Sequence, residues 1–449
     1  MNDNPVPAPA PEPTLFPLPP LEPAAAPAPR EEVKGEARLR RAERSQMIWG
    51  SIDLDAQIPD EHPARAIYAV IERLDLSTLY AKVGSVEGAA GAPAIDPKIL
   101  LALWLYATSE GEGSAREIWR LTQLHAAYRW ICGGVEVGYH TLSDFRSRQS
   151  EVLDALMTQV LAVLMKQDLV DLSRVAQDGT RVRASAGAGS FRRAQTLDAL
   201  MQQAREHLEA VNKEAADPAA SARRTAARKR GAQQRIQRLE AALLQMPQVI
   251  ETKKRSGAKD ATARVSTTDP DARVMKMGDG GFRPAFNVQF ATTADKARVI
   301  VGVDVSNRGS DAGQSTPMIE QIEQRTGVRP TQMLVDGGYA QHEAIEQAAD
   351  QHVTVYAPVP KPGEGDTRDP HRAREGDSEA VAAWRQRMGT DEAKGIYKQR
   401  AATAETVNAD AKAHRGLDAL AVRTLGKVAG SASMFALTYN ILRLITLGG

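Results

Sequence analysis

Pro284-Ala285-Phe286-Asn287-Val288-Gln289-Phe290-Ala291 is followed, after a short polar stretch, by Val299-Ile300-Val301-Gly302-Val303-Asp304-Val305. In the first run Phe286, Val288 and Phe290 alternate with Asn287, Gln289 and Ala291; in the second the valines alternate with Ile300, Gly302 and Asp304. A period of two marks an extended chain whose successive side chains point to opposite faces. The runs therefore predict adjacent strands joined by a turn over 293–296. Helical and extended periods then take turns. A helix is expected over 313–326, then the strand Gln332-Met333-Leu334-Val335 ending in Asp336-Gly337-Gly338. A helix over 341–350, a strand over 353–357, a Pro- and Gly-rich loop over 358–378 and a long helix over 391–414 follow, with apolar helices over 417–427 and 432–445. Upstream, residues 173–177 read as a further strand with Asp178-Gly179-Thr180 at its end. A hairpin followed by strand–helix–strand units gives an α/β fold, a mixed sheet flanked by helices.

Ahead of the sheet, residues 46–168 read as an all-α domain. Ile99, Leu100, Leu103, Leu105 and Tyr106 have helical spacing after an Asp96-Pro97 start. Further helices fit 114–124 and 151–165, Gly133-Gly134 breaks the chain, and another helix opens at His140 with Thr141 and Asp144 spaced like a capping box. Arg116, Arg120, Arg129, Arg146 and Arg148 on these helices suit a DNA reader of helix-turn-helix type, or equally a bundle with solvated arginines. A helical insertion covers about 192–255. Between positions 223 and 264 twelve Lys or Arg stand against Glu240, Glu251 and Asp260. That insertion is either an exposed hairpin with a solvated face or an arm that tracks phosphates. Residues 1–30 hold 11 of the 25 prolines, which predicts a disordered tail over 1–45. The sheet with its insertion then occupies 169–449.

The whole chain has 449 residues and a net charge of only +1, so any nucleic-acid surface must be local. Cys132 is the only cysteine, which rules out an internal disulfide and a cysteine-based zinc site. No secretory signal is legible, and no apolar run reaches the roughly 18–20 residues of a membrane span. The expectation is a cytoplasmic protein without a membrane partner.

Asp178 and Asp336 each follow an apolar strand and precede a glycine, which lets backbone or substrate approach closely. Mg²⁺ binds through a few carboxylates together with substrate phosphates. Two such ions roughly 3.5–4 Å apart can activate an attacking oxygen and stabilise a leaving one. The third carboxylate of such a site has to come from the long helix.

This joint pattern resembles the DDE transposases of bacterial insertion sequences, over nearly the whole chain from about residue 46. Tyr397-x2-Arg400-x4-Glu405-x6-Lys412 is similar to their Tyr-Arg-Glu-Lys signature. Gln177-Asp178-Gly179-Thr180 resembles their first catalytic strand, and Leu334-Val335-Asp336-Gly337-Gly338-Tyr339 their second. Phe282 to Gln289 is similar to the strand between, and His140 to Arg148 to their N-terminal helical domain. The resemblance implies a ribonuclease H-like catalytic domain. It implies Asp178, Asp336 and Glu405 as catalytic, metal-holding residues for two Mg²⁺ ions, with Mn²⁺ able to substitute. It implies double-stranded DNA as partner, as terminal inverted repeats and target, bound by a homodimer on paired ends near the nucleoid. Two departures stand out. Four residues separate Arg400 from Glu405, where some members have three, and the extra material here is helical and follows Asp178.

At about 100° per residue, Tyr397, Arg400, Glu405, Asn408 and Lys412 fall within an arc of roughly 140° on one helix. Glu405 would reach a metal while Arg400 and Lys412 face phosphates and Tyr397 stacks on a base or bonds a phosphate. Glu392 and Asp410 project to the opposite side, so Glu405 is the expected third carboxylate. Together with Arg146 and Arg148, these residues make the expected DNA-contacting set. The expected activity is cutting at element ends and joining to target DNA. A nuclease that cuts without joining and a non-catalytic DNA-binding protein derived from a transposase are the alternatives.

Overall fold

The computed structural model describes residues 51, 53–85, 92–214, 222–255, 257, 262–363 and 367–448, so the expected Pro/Ala-rich tail lies outside the described residues. Seven helices come first: α1 (Pro63–Glu72), α2 (Ser77–Tyr80), α3 (Pro97–Ser109), α4 (Ala115–Leu124), α5 (Ala126–Cys132), α6 (Tyr139–Arg148) and α7 (Ser150–Lys166). The Asp96 carboxylate accepts from the Lys98 amide at 2.8 Å and Pro97 supplies the first turn, so α3 starts where the sequence says. Every residue of α3 except Lys98 is buried, the mark of a helix surrounded by others. Ser114 caps α4 through the Glu117 amide. The capping box expected at Thr141 does not form. Tyr139 packs edge-on to Trp119 with Arg116 over its ring, and α6 therefore begins at Tyr139 after an uncapped Gly138.

The strands are β1 (Arg174–Arg183), β2 (Phe191–Arg192), β3 (Val265–Ser266), β4 (Arg273–Lys276), β5 (Phe282–Thr293), β6 (Ile300–Ser306), β7 (Gln332–Leu334) and β8 (Thr354–Tyr356). The main sheet runs β5-β1-β7-β8, with β4 and β6 both pairing with β5. The hairpin partners of β5 are antiparallel to it, as is β1, whereas β7 and β8 run parallel to β1. The sheet is thus mixed, as expected, and the hairpin turn falls at 293–299. Between β2 and β3 stands a helical hairpin, α8 (Ala194–Glu214) and α9 (Ala222–Arg255), with its own small apolar core of Leu197, Met201, Leu239, Met246 and Val265. After β6 come α10 (Ser315–Thr326), α11 (His342–Asp350) and α12 (Glu379–Gly389). The long helix follows as α13 (Asp391–Tyr397) and α14 (Thr406–Ala413), joined through a single π-helical turn at Ala401–Glu405. The chain ends in α15 (Leu425–Gly448).

One helix was not foreseen, and two expectations fail, for local reasons. The stretch 358–378 is a loop, but α12 behind it is a regular helix, capped by Ser378 and anchored by the Trp384 indole on Ala357 O at 3.0 Å. Residues 417–424 are not a helix: Arg183 takes the Asp418 carbonyl at 2.9 Å and gives its own to Leu420 at 3.0 Å, so this segment runs along the end of β1. Finally, α15 is long and apolar enough to cross a membrane by length and composition, with a mean hydropathy of 1.3, although no such run was expected. In its most apolar stretch of 18 residues, however, 61% of the residues are buried inside the protein. Its Phe435 ring lies 5.2 Å from Phe290 of β5, and Asn440 brackets Ile300 through both backbone groups at 2.7 and 2.9 Å. Residues of α3, α7, β5 and α15 share one hydrophobic core, so the N-terminal helices and the sheet are packed together.

Candidate active site

On β1 and β5, cross-strand partners share a face. The register puts Asp178 with Phe290, and Thr180 with Val288, on one face; Gly179 with Gln289, and Arg181 with Asn287, lie on the other. Asp178 is therefore a carboxylate on the core-facing side of a central strand. It stands in the middle of ten-residue β1 and not at a strand end as expected. Burial drives its pKa upward, and the nearby Asp336 adds to the rise, while Arg400 and Asn408 work against it. Those partners are specific. Arg400 Nη2 donates to Asp178 Oδ1 at 2.8 Å, and Asn408 Nδ2 donates to Oδ2 at 3.0 Å.

Asp336 does sit at a strand end, just past β7, and its Oδ1 accepts the Gly338 amide at 2.7 Å. Glu405 lies on the helix side, with its side chain 55% exposed, and accepts Arg400 Nη1 at 3.0 Å. One guanidinium thus bridges Asp178 and Glu405, and Asp336 lies within its field. The π turn explains how Arg400 and Glu405 meet. On a regular α-helix residues five apart differ by about 140°; a π turn closes on the fifth residue and brings it back beneath the first. The fourth residue between Arg400 and Glu405 is absorbed by that turn.

The other signature residues adjoin this pair. Tyr397 is half-buried, its pKa raised by burial, and it feels Arg400, Asp336 and Glu405. Lys412 is half-buried as well; burial lowers its pKa, and Asp418, Arg181 and Asp178 act on it in turn. Asp410 points away, to Arg415 at 3.2 Å, and Glu392 is exposed.

Behind the strand lies a network that sequence reasoning missed. Asp311 accepts Asn287 Nδ2 and Gln289 Nε2, both at 2.7 Å, and pairs with Arg181 at 3.0 Å. Gln289 Oε1 accepts Gln177 Nε2 at 3.1 Å and the hydroxyl of buried Tyr339. Asn287 and Gln289 are fully buried, so their alternation with Phe286 and Phe290 marks a polar interior and not a solvent face. Gly179 belongs to this network: a Cβ there would meet Asp311 Oδ1 at 2.3 Å and Gln289 Nε2 at 2.4 Å. The glycine after the aspartate makes room for these side chains, where the expectation was a close approach by backbone or substrate. Paired amide side chains at alternate positions of an apolar strand were the available signal.

Of the two arginines expected on the N-terminal DNA face, Arg148 is exposed and paired with Asp144 at 3.3 Å. Arg146 is not on that face. It is 9% exposed, lies 4.4 Å over the Trp104 ring and donates to Gly113 O; burial pulls its pKa down to about 10. A guanidinium with those contacts joins α6 to α3 and the loop before α4. Arg146→Ala should cost about 2–4 kcal/mol in urea unfolding, the scale of a buried cation–π contact plus a charged hydrogen bond. A loss below roughly 0.5 kcal/mol, the level of an ordinary surface substitution, would contradict a structural role.

The donor set suits a divalent cation by type, since all three carboxylates offer hard oxygens. Two buried atoms beside them, Asn408 Oδ1 and Arg400 Nε, have no hydrogen-bond partner, one an acceptor and one a donor. That fits a site completed by water and phosphate. As placed, Arg400 supplies the positive charge between Asp178 and Glu405, and among the described residues no three His, Cys, Asp or Glu converge as a metal-binding group. Metal binding would require the guanidinium to yield.

Two family profiles match the chain, one described as Transposase domain (DUF772) over residues 52–148 and one as Transposase DDE domain over residues 366–445. The second takes in Tyr397, Arg400, Glu405 and Lys412, whereas Asp178 and Asp336 lie outside both. No curated protein and no solved structure matches the chain. The two profile matches support a DDE-type transposase of an insertion sequence.

Proposed function

We propose that this DDE-type insertion-sequence transposase cuts double-stranded DNA at the terminal inverted repeats of its element and joins the freed ends to target DNA. The observation that carries the reading is Asp178. A carboxylate on the core face of a central strand is costly unless it is paired and hydrogen-bonded, and here Arg400 and Asn408 are brought to it from a helix more than two hundred positions away, together with the signature residues around them. The order β6-β5-β1-β7-β8, antiparallel as far as β1 and parallel beyond it, favours a ribonuclease H-like domain over 169–449.

In this reading Asp178, Asp336 and Glu405 hold two Mg²⁺ ions, with Mn²⁺ as a substitute. The ions would activate the attacking oxygen and stabilise the leaving one. The protein's own part is positioning and charge. Arg400, released from its two carboxylates, and Lys412 meet phosphate oxygens. Tyr397 stacks on a base or bonds a phosphate at the same edge. Asn408 holds Asp178 Oδ2 in orientation, and the Asp311 network fixes the strand behind it. Residues 46–168 supply end recognition, with Arg148 among the contacts, and paired ends are held by a homodimer in the cytoplasm. The test incubates the full chain with its flanking end DNA and Mg²⁺ and maps breaks, then offers pre-cut ends with a target plasmid. Breaks at the ends and covalent joints to the plasmid are expected. Breaks without joints would indicate a nuclease; neither product, with end DNA still bound, would indicate a binding protein.

A further inference from the structure

Away from the carboxylates, four arginines line a cavity of about 410 Å³ at the foot of the helical hairpin. Arg192 comes from β2, Arg235 and Arg238 from α9, and Arg423 from the segment before α15; Thr267 and Thr268, just after β3, and Leu200 and Leu239 complete the lining. None of the four arginines forms an ion pair among the described residues. Arg192 bonds the Phe191 carbonyl at 3.3 Å and Arg423 the Ser185 carbonyl at 3.2 Å. Asp269, whose carboxyl feels Arg423, is buried and accepts the Thr424 amide at 3.2 Å. Four guanidinium groups thus gather at one cleft with no carboxylate within ion-pair distance among the described residues. Such a cluster is stabilised by an anion, and arginine forks fit phosphate oxygens bidentately.

The positive charge does not stop at the cavity. Arg224, Arg228, Arg235 and Arg238 fall within an arc of about 80° on α9, along about 21 Å of helix at 1.5 Å per residue. Arg228 is held by Glu214 of α8, and Arg224 is exposed. A row of that length exceeds a single small anion and suits a polymer of phosphates. No aromatic side chain lines the cavity, so it offers nothing on which a base could stack, whereas the Thr268 hydroxyl can donate to a phosphate oxygen, the Thr267 hydroxyl being held by Ser190 O at 3.2 Å.

We infer that this arginine cleft, continued by the row on α9, is a seat for the phosphodiester backbone of duplex DNA, read without regard to sequence. The inference rests on the proposed function and adds to it a surface outside the carboxylate site. The test measures binding of a random-sequence duplex by fluorescence anisotropy over a range of salt concentrations, using the full chain. Compared are wild type, Arg235→Gln with Arg238→Gln, Arg192→Gln with Arg423→Gln, and Arg235→Lys with Arg238→Lys, all with matched melting curves. Each lost phosphate contact should flatten the slope of log K against log salt by about 0.9. Each glutamine pair is therefore expected to flatten it by about 1.8 and to weaken binding roughly tenfold or more at low salt; the lysine pair should keep most of both. Glutamine pairs that bind with wild-type affinity and slope would overturn the seat alone. A wild type that binds no duplex would overturn both the seat and the proposed function. A small-anion pocket is a third outcome, and it too overturns the seat: inorganic phosphate would raise the melting temperature of wild type but not of the glutamine pairs, while duplex binding stayed unchanged.

Discussion

Asp178→Asn and Asp336→Asn should each lower cleavage of end DNA by roughly a thousandfold or more, the scale on which charge-stabilising groups act in phosphoryl transfer. An amide keeps the size of the carboxylate and removes the charge that would hold a cation; at Asp178 one of the two accepting oxygens becomes an NH2 group, which a turned Asn408 side chain can meet with its unpaired Oδ1. At Asp178 the protein itself gains little from that charge, because burial already opposes ionisation. The Asp178→Asn protein should therefore melt within a few degrees of wild type and still shift end DNA on a gel. Asp336 keeps its local bond to the Gly338 amide through the amide oxygen, so the same holds there. Cleavage within about tenfold of wild type by either variant would place that residue outside the chemistry, since lost positioning alone commonly costs more.

Glu405→Gln should match that loss, whereas Asp410→Asn and Glu392→Gln should cleave within a few-fold of wild type. The contrast tests the helix register. Glu405 shares Arg400 with Asp178; Asp410 faces Arg415, which donates in turn to Ser109 O of α3. Loss of the Asp410 charge weakens a partly exposed pair and should cost no more than about 1 kcal/mol. Initial rates of end cleavage under saturating Mg²⁺, with unfolding curves for each variant, separate the two effects. An inactive Asp410→Asn protein that folds normally, beside an active Glu405→Gln protein, would reverse the assignment.

The order of strands and helices across the sheet was legible because burial has a period, and periods of two and 3.6 survive in the sequence without any knowledge of partners. Asp336 at the end of β7 and the grouping of Tyr397, Arg400, Glu405 and Lys412 were legible for the same reason, since both are local. What lay beyond reach were consequences of contact between distant segments. Arg146 carries the same charge as Arg148, and only the packing of Trp104 beneath it makes one structural and the other exposed. Residues 417–424 are apolar enough for a helix, but the end of β1 offers them hydrogen bonds, and the backbone takes those instead. Alternation along β5 showed that Asn287 and Gln289 share a face, but only the fold shows Asp311 closing over that face from a loop whose sequence has no period. The N-terminal helices looked like a separate domain, and α15 fills part of their core from the far end of the chain.

The sequence alone therefore determined the kind of chain this is: a mixed sheet with helices around it, a basic helical insertion, and carboxylates and cations at characteristic spacings. Tertiary structure alone decided how those groups meet. One extra residue between Arg400 and Glu405 would separate them on an α-helix, and a π turn restores their contact. A buried charge on β1 is tolerable only because a guanidinium arrives from a helix more than two hundred positions later. Periodicity records which side of its own element a residue faces, but the partner on the other side is fixed by packing, and packing is a property of the whole chain.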